Sequence, residues 1–246
     1  MENKQSVSII KIGGNIIDNP SELTAFLADF AALKGNTILV HGGGKSATKL
    51  AQSMGLTPQM IDGRRITDAP MLEVVVGVYA GQINKEVVAQ LQANGSNAMG
   101  FSGADGNLIQ SDKRNHPTID YGFVGDVKKV NTNLLASLLD NGITPVFCAI
   151  THDKNGQLLN TNADTMAQAI ATAISSVYEV SLVYSFEKKG VLSDVNNNDS
   201  VIPVINPENY ASLKASGQVN EGMIPKLDNA FEALQKGVTR VIIGDA

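Results

Sequence analysis

The sequence predicts an α/β fold, a three-layer αβα sandwich on a mainly parallel open sheet, and three observations carry that expectation. Short β-branched runs recur at residues 7–12, 37–40, 144–150, 180–184 and 238–243. Longer segments with helical periodicity separate them. Glycine turns follow the first two runs directly, as expected where strands end at a ligand-binding edge. A chain of 246 residues suits one domain with two lobes.

The elements follow in order. The first run ends in Lys11-Ile12-Gly13-Gly14-Asn15, and Ser21 and Glu22 open a helix after Pro20. The second run leads into His41-Gly42-Gly43-Gly44-Lys45, before a helix that starts near Ser46. Asp68 and Pro70 open a long helix through Leu91, which Gly95 stops. Residues 102–129 turn to Gly, Asp, Asn and Lys with short extended pieces, which reads as hairpins and loops suited to covering a substrate. Asn131 or Thr132 caps a further helix through Leu139. After the run 144–150 and a turn at 153–157, the cluster Asn160-Thr161-Asn162-Ala163-Asp164 precedes an apolar-periodic helix. No linker marks a lobe boundary, which is placed near 175–178. Residues 196–199 read as a solvated turn. The last helix opens at Glu221-Gly222-Met223-Ile224-Pro225-Lys226, which puts Lys226 in its first turns, at the positive dipole end.

Composition excludes several function classes. Nineteen Lys plus Arg against 24 Asp plus Glu give a charge of −5, which offers no attraction to nucleic acid or anionic lipid. No stretch reaches the roughly 20 apolar residues needed to cross a bilayer, and the polar residues 1–6 do not read as a secretory signal. A cytoplasmic protein is expected. Cys148 is the only cysteine and lies in an apolar run, so no internal disulfide forms and a buried core thiol is expected. His41, His116 and His152 have no nucleophile beside them in a recognisable pattern. Structural roles are expected for all three, with His41 shaping its glycine turn.

The glycine turns carry the chemistry. Glycines at a strand's carboxyl end let backbone N–H groups approach an anion, and a following helix adds its positive dipole end. Gly44-Lys45-Ser46 mimics the end of a Walker A loop, but Leu39 stands where that motif needs glycine. Gly42 to Ala47 also fits the dinucleotide pattern G-x-G-x-x-A, with Asp62 twenty residues on, so this loop alone leaves an NAD enzyme open. Asn162 or Asp164 could cap the helix after 163, and capping does not preclude catalysis. Arg64 and Arg65 read either as a solvated turn or as a carboxylate clamp.

Taken in order, Lys-Ile-Gly-Gly at 11–14, His-Gly-Gly-Gly at 41–44, Gly-x-Arg-x-Thr at 63–67, Asn-x-Asn-Ala-Asp at 160–164 and Gly-Met-x-x-Lys at 222–226 resemble the amino acid kinase family. The likeness spans roughly residues 7–244. It implies an N-lobe, 1–176, that binds an acylated amino acid and forms a homodimer, and a C-lobe, 177–246, that binds ATP. The motifs look most like those of members that phosphorylate the side-chain carboxylate of an N-acyl-L-glutamate, acetyl by default, with succinyl left open. By the resemblance Lys11 and Lys226 stabilise the phosphoryl group in flight from two sides, with Asp164 between them. Gly14 and Gly43 donate N–H groups to it. Gly43 and Gly44 receive the substrate side chain, Arg65 grips its α-carboxylate, Asn160 binds it, and Asn162 holds the neighbouring loop. Gly13, Gly14, Glu187, Gly190 and Gly222 fall on the nucleotide side. Mg²⁺ would arrive with ATP, held through phosphates and water, so no protein ligand is named. A carboxylate with a pKa near 4 is already ionised at neutral pH and needs no general base.

One stretch departs from the family. Relatives carry Asp-Val at the places of Glu187 and Lys188, which leaves the adenine and ribose contacts unassigned. Arginine-inhibited relatives form hexamers through an added amino-terminal helix, whereas about six residues precede the first strand here. A homodimer without arginine feedback is therefore expected. The rivals are glutamate and aspartate kinases within the family, an NAD-dependent oxidoreductase, and a non-catalytic amino-acid sensor. The last has no reason to keep two lysines bracketing an aspartate.

Overall fold

A computed structural model describes residues 4–61, 63–194, 196–216, 219 and 223–245. In β1 (Ser6–Ile12) apolar residues occupy both parities, so Val7 and Ile9 face one layer and Ile10 and Ile12 the other. Burial on both faces marks a central parallel strand. The short helix α1 (Gly14–Asp18) leads to α2 (Pro20–Ala31), capped by the Asn19 side chain, which accepts from the Ser21 and Glu22 amides. β2 (Asn36–His41) follows, and α3 (Gly44–Ser53) begins inside the glycine turn rather than at Ser46.

A small hairpin, β3 (Met60–Ile61) with β4 (Arg64–Arg65), precedes the long helix. That helix is not uniform: α4 (Ala69–Val76), capped by Asp68, widens into a π-helical turn over Gly77–Ile83 before α5 (Asn84–Ala93). Next come β5 (Ala98–Phe101), β6 (Ile109–Lys113), β7 (Gly125–Val130) and α6 (Thr132–Asp140), which Asn131 caps by accepting from the Leu134 amide. The run 144–150 is two strands. β8 (Thr144–Cys148) stays in the main sheet, while β9 (Ile150–His152) pairs antiparallel with β10 (Leu158–Asn160) in another. The chain closes with α7 (Ala163–Ile174), β11 (Glu179–Phe186), α8 (Pro207–Ala215), α9 (Ile224–Gln235) and β12 (Arg240–Asp245).

The main sheet has the order β12-β11-β1-β2-β8-β5, and all its pairings are parallel. Helices α1 to α5 cover one face through residues such as Leu27, Phe30, Val75 and Leu91. Helices α6, α7 and α9 cover the other through Leu135, Ile170, Ile174 and Ala233. The smaller sheet, β10-β9-β6-β7, is reached directly from β8 into β9. A third, small core gathers Val191, Val219 and Leu227 with Tyr210 and Leu213. Cys148 is buried, and burial pushes its thiol up to about 12, so it is an inert core residue. Among the described residues no helix is long and apolar enough to cross a membrane.

Candidate active site

β1 and β2 are neighbours near the middle of the sheet, so their two glycine turns leave the same edge side by side. The helices that begin there are tied together: Ser46 Oγ donates to the Asp18 carboxylate, and Lys45 Nζ donates to Asn15 Oδ1. The strand period of two puts Lys11 on the face of Ile9, toward α7. On α7 the two roles left open by the sequence are divided. Asn162 Oδ1 accepts from the Thr165 amide at 3.0 Å and caps the helix, which frees the Asp164 side chain. Lys226, in the first turn of α9, approaches from the opposite side.

The three meet. Lys11 Nζ lies 2.7 Å from Asp164 Oδ1, and Lys226 Nζ lies 3.1 Å from Asp164 Oδ2. The side chains are 14%, 22% and 14% exposed for Lys11, Asp164 and Lys226, sheltered yet open to a cleft. Burial acts to raise the Asp164 carboxyl, but the two ammonium groups outweigh it and hold it below the usual carboxylate range. Burial is the main cause that draws Lys226 down from the ordinary lysine value, and Lys11 adds to it against the pull of Asp164 and Glu187.

The cleft's floor is built for close approach. A Cβ at Gly43 would lie 2.5 Å from Ile83 Cδ1 and 2.8 Å from the Tyr79 ring, so only glycine fits. Both crowding side chains come from the π-helical turn. Arg65 is buried, and its Nη2 donates to the Gly44 carbonyl and to Thr48 Oγ1, each at 2.8 Å. One edge of the guanidinium thus braces the glycine turn while the residue lines the cleft. Asn160 Nδ2 donates to Thr67 Oγ1 at 3.0 Å, and the Thr67 hydroxyl donates to the Arg65 carbonyl at 3.2 Å. Behind Thr67, Gly122 has φ +71°, and a Cβ there would come 2.2 Å from the Thr67 carbonyl oxygen.

One cleft therefore brings together Lys11, Gly14, Gly43, Gly44, Arg65, Asn160 and Asn162, with Tyr79 and Arg64. Asp164 and Lys226 join it through the ion pairs. Other expected residues stand differently. The Gly13 amide donates to the Ser185 carbonyl at 2.9 Å, so it ties β1 to β11. Gly190 is a packing position, where a Cβ would meet Val201 Cγ1 at 3.0 Å. Glu187 acts on Lys226 through its charge. Gly222 and Asp62 lie outside the described residues.

His41 is not catalytic. Its Nε2 accepts from Asn84 Nδ2 at 3.1 Å, so its Nδ1–H donates to the Gly42 carbonyl at 2.8 Å. Burial lowers its pKa to about 4, and the ring stays neutral. Sequence reasoning misses Tyr79, because a tyrosine within an apolar helix reads as core. It also misses Tyr184 and Phe186, although their two-residue spacing on one face of β11 is a usable signal.

Known proteins resemble the chain over nearly its whole length. The sequence pattern of the amino acid kinase family matches residues 6–245. The acetylglutamate kinase of Cytophaga hutchinsonii is 58% identical over 243 residues, covering 98% of this chain and 92% of that protein. That of Phocaeicola vulgatus is 54% identical over 240 residues, covering 98% and 93%. Among solved structures, smu.665 of Streptococcus mutans UA159 superposes with a TM-score of 0.79 at 27% identity, covering 97% of this chain and 94% of that one.

Proposed function

We propose that this chain, which belongs to the amino acid kinase family, transfers the terminal phosphoryl group of ATP to the side-chain carboxylate of N-acetylglutamate, a step of arginine biosynthesis. The observation that carries the reading is the meeting of two ammonium groups on one carboxylate at the edge of a glycine-floored cleft.

The acceptor and the donor are both anions, and the transferring group spreads negative charge over its oxygens, so catalysis rests on positioning and cations. Lys11 from β1 and Lys226 from α9 supply those cations from two sides. Asp164 holds both and offsets their mutual repulsion. The amides at the start of α3 and the Arg65 guanidinium, which lines the cleft, would receive the acceptor. Gly14 fits the phosphate side, because it opens α1 beside Lys11 and lines the same cleft. Mg²⁺ would accompany ATP through phosphate oxygens and water and add charge neutralisation. We place acceptor binding in residues 1–176 and ATP binding in 177–246, in a cytoplasmic homodimer.

ADP release measured with N-acetylglutamate, N-succinylglutamate, free glutamate and aspartate tests the reading. Turnover is expected only with an N-acylated glutamate, and preferred turnover of free glutamate or aspartate would overturn it. In the same assay Arg65→Ala is expected to raise KM for the acceptor by about 10- to 100-fold, the loss of a charged hydrogen-bond donor. It is also expected to lower kcat, because Gly44 loses its brace.

A further inference from the structure

We propose that Phe186, together with Tyr184, is a positioning residue for Lys226: two ring faces and the Asp164 carboxylate form a three-sided cradle that holds the ammonium at the transfer site. The Lys226 Nζ lies 5.2 Å from the Tyr184 ring centroid and 5.5 Å from that of Phe186, while Asp164 Oδ2 lies 3.1 Å away. Both distances fall within the roughly 6 Å reach of a cation–π contact. The rings sit two residues apart at the carboxyl end of β11, where Tyr184 is paired with both β1 and β12 and Phe186 with β12. Tyr184 is fully buried, and its hydroxyl donates to the Asp164 carbonyl at 3.4 Å, tying the cradle to the start of α7. Phe186 lies beside the first glycine turn, where a Cβ on Gly13 would come 3.4 Å from its own Cβ.

The choice of aromatic walls has a physical reason. A second carboxylate at ion-pair distance, closer than the through-space pull of Glu187, would also hold the ammonium, but it would cancel the positive charge that attracts phosphate. A ring face attracts the cation through its quadrupole and adds no formal charge. It also confines a four-carbon stem that otherwise samples many rotamers. Among the described residues, the charged or titratable groups facing Lys226 are Asp164 from α7, Lys11 from β1, Glu187 just past β11, and Tyr184 itself, whose phenol burial keeps protonated.

This inference rests on the kinase reading, and its test separates the two. Phe186→Leu and Phe186→Met, which keep apolar bulk but lose the π face, are compared with Phe186→Tyr, which keeps it. Kinetics run from pH 6 to 10. The first two are expected to lower kcat about tenfold and to move its alkaline limb to lower pH by roughly half a unit to one unit, with KM for the acceptor unchanged. Phe186→Tyr restores both. Nuclear magnetic resonance titration of the Lys226 ε-methylene reads the same displacement without turnover, so it decides the matter even if the acceptor is misassigned. An unmoved lysine titration in folded Leu or Met variants, or a rise in KM for ATP alone with kcat intact, overturns the cradle.

Discussion

Lys11→Ala and Lys226→Ala are each expected to lower kcat by about 10²- to 10³-fold, the usual cost of removing one preorganised charge-stabilising donor. KM for the acceptor should change far less, since the proposed site assigns that substrate to Arg65 and the glycine turn. Each ammonium sits about 3 Å from a shared carboxylate, at 2.7 and 3.1 Å, so neither is a free surface charge. On the proposed reading both act on the same phosphoryl group, so the double variant should fall short of the product of the single losses. The single-variant expectation fails if either variant keeps more than a tenth of wild-type kcat. Circular dichroism and thermal melts must show intact folding, which is expected because the charged ends of these side chains lie at the cleft edge rather than in the core.

Much of this site was legible before any coordinates, and the reason is local. Lys11 could be named because it stands at the end of the first strand beside a glycine turn, while its exit on the face of Ile9, toward α7, is given by the fold. Asn162 and Asp164 could both be named as candidate caps, but only the bond from the Thr165 amide says that Asn162 is the one. Signals of that kind live in a few consecutive residues. What stayed hidden depends on what lies opposite. Gly13 and Gly14 are equivalent in sequence, yet the Ser185 carbonyl takes one amide while the other glycine lines the cleft. Gly190 and Gly43 are likewise both glycines in a motif, one set against Val201 and the other against the Tyr79 ring.

The fold repeats the lesson. The split of 144–150 into β8 and β9 has no local mark, because both halves are apolar and buried. The π-helical turn escapes periodicity for the same reason: its apolar residues satisfy a helix of either width. α8 escapes because it buries no residue and so shows no stripe, although Asn206 and Asn209 form a capping box at its start. The dinucleotide alternative, open on the glycine turn alone, loses its ground once Lys11, Asp164 and Lys226 are seen to converge beside that turn.

Asp164→Asn should reveal the electrostatic logic most directly, because it keeps the side chain's shape and removes one charge. The wild-type trio carries two cations and one anion, a net +1; the variant carries +2 in a cleft that shelters it from water. Breaking a buried pair this way costs about 3–5 kcal/mol, and the 22% exposure of Asp164 argues for less here. The folded-state pKa of Asp164 is depressed, so its stabilisation is present above the unfolded value near 4 and is lost as pH falls through the lower, folded one. The variant should therefore melt below wild type at pH 7 and converge with it in acid. ATP supplies the missing negative charge, so the melting temperature should rise more on adding ATP in Asp164→Asn than in wild type. kcat should still fall by about tenfold or more, because the carboxylamide no longer orients two ammonium groups. An equal ATP-induced rise in both proteins would mean that the nucleotide's phosphates do not meet these lysines, and the placement of phosphoryl transfer at this edge of the sheet would have to be abandoned.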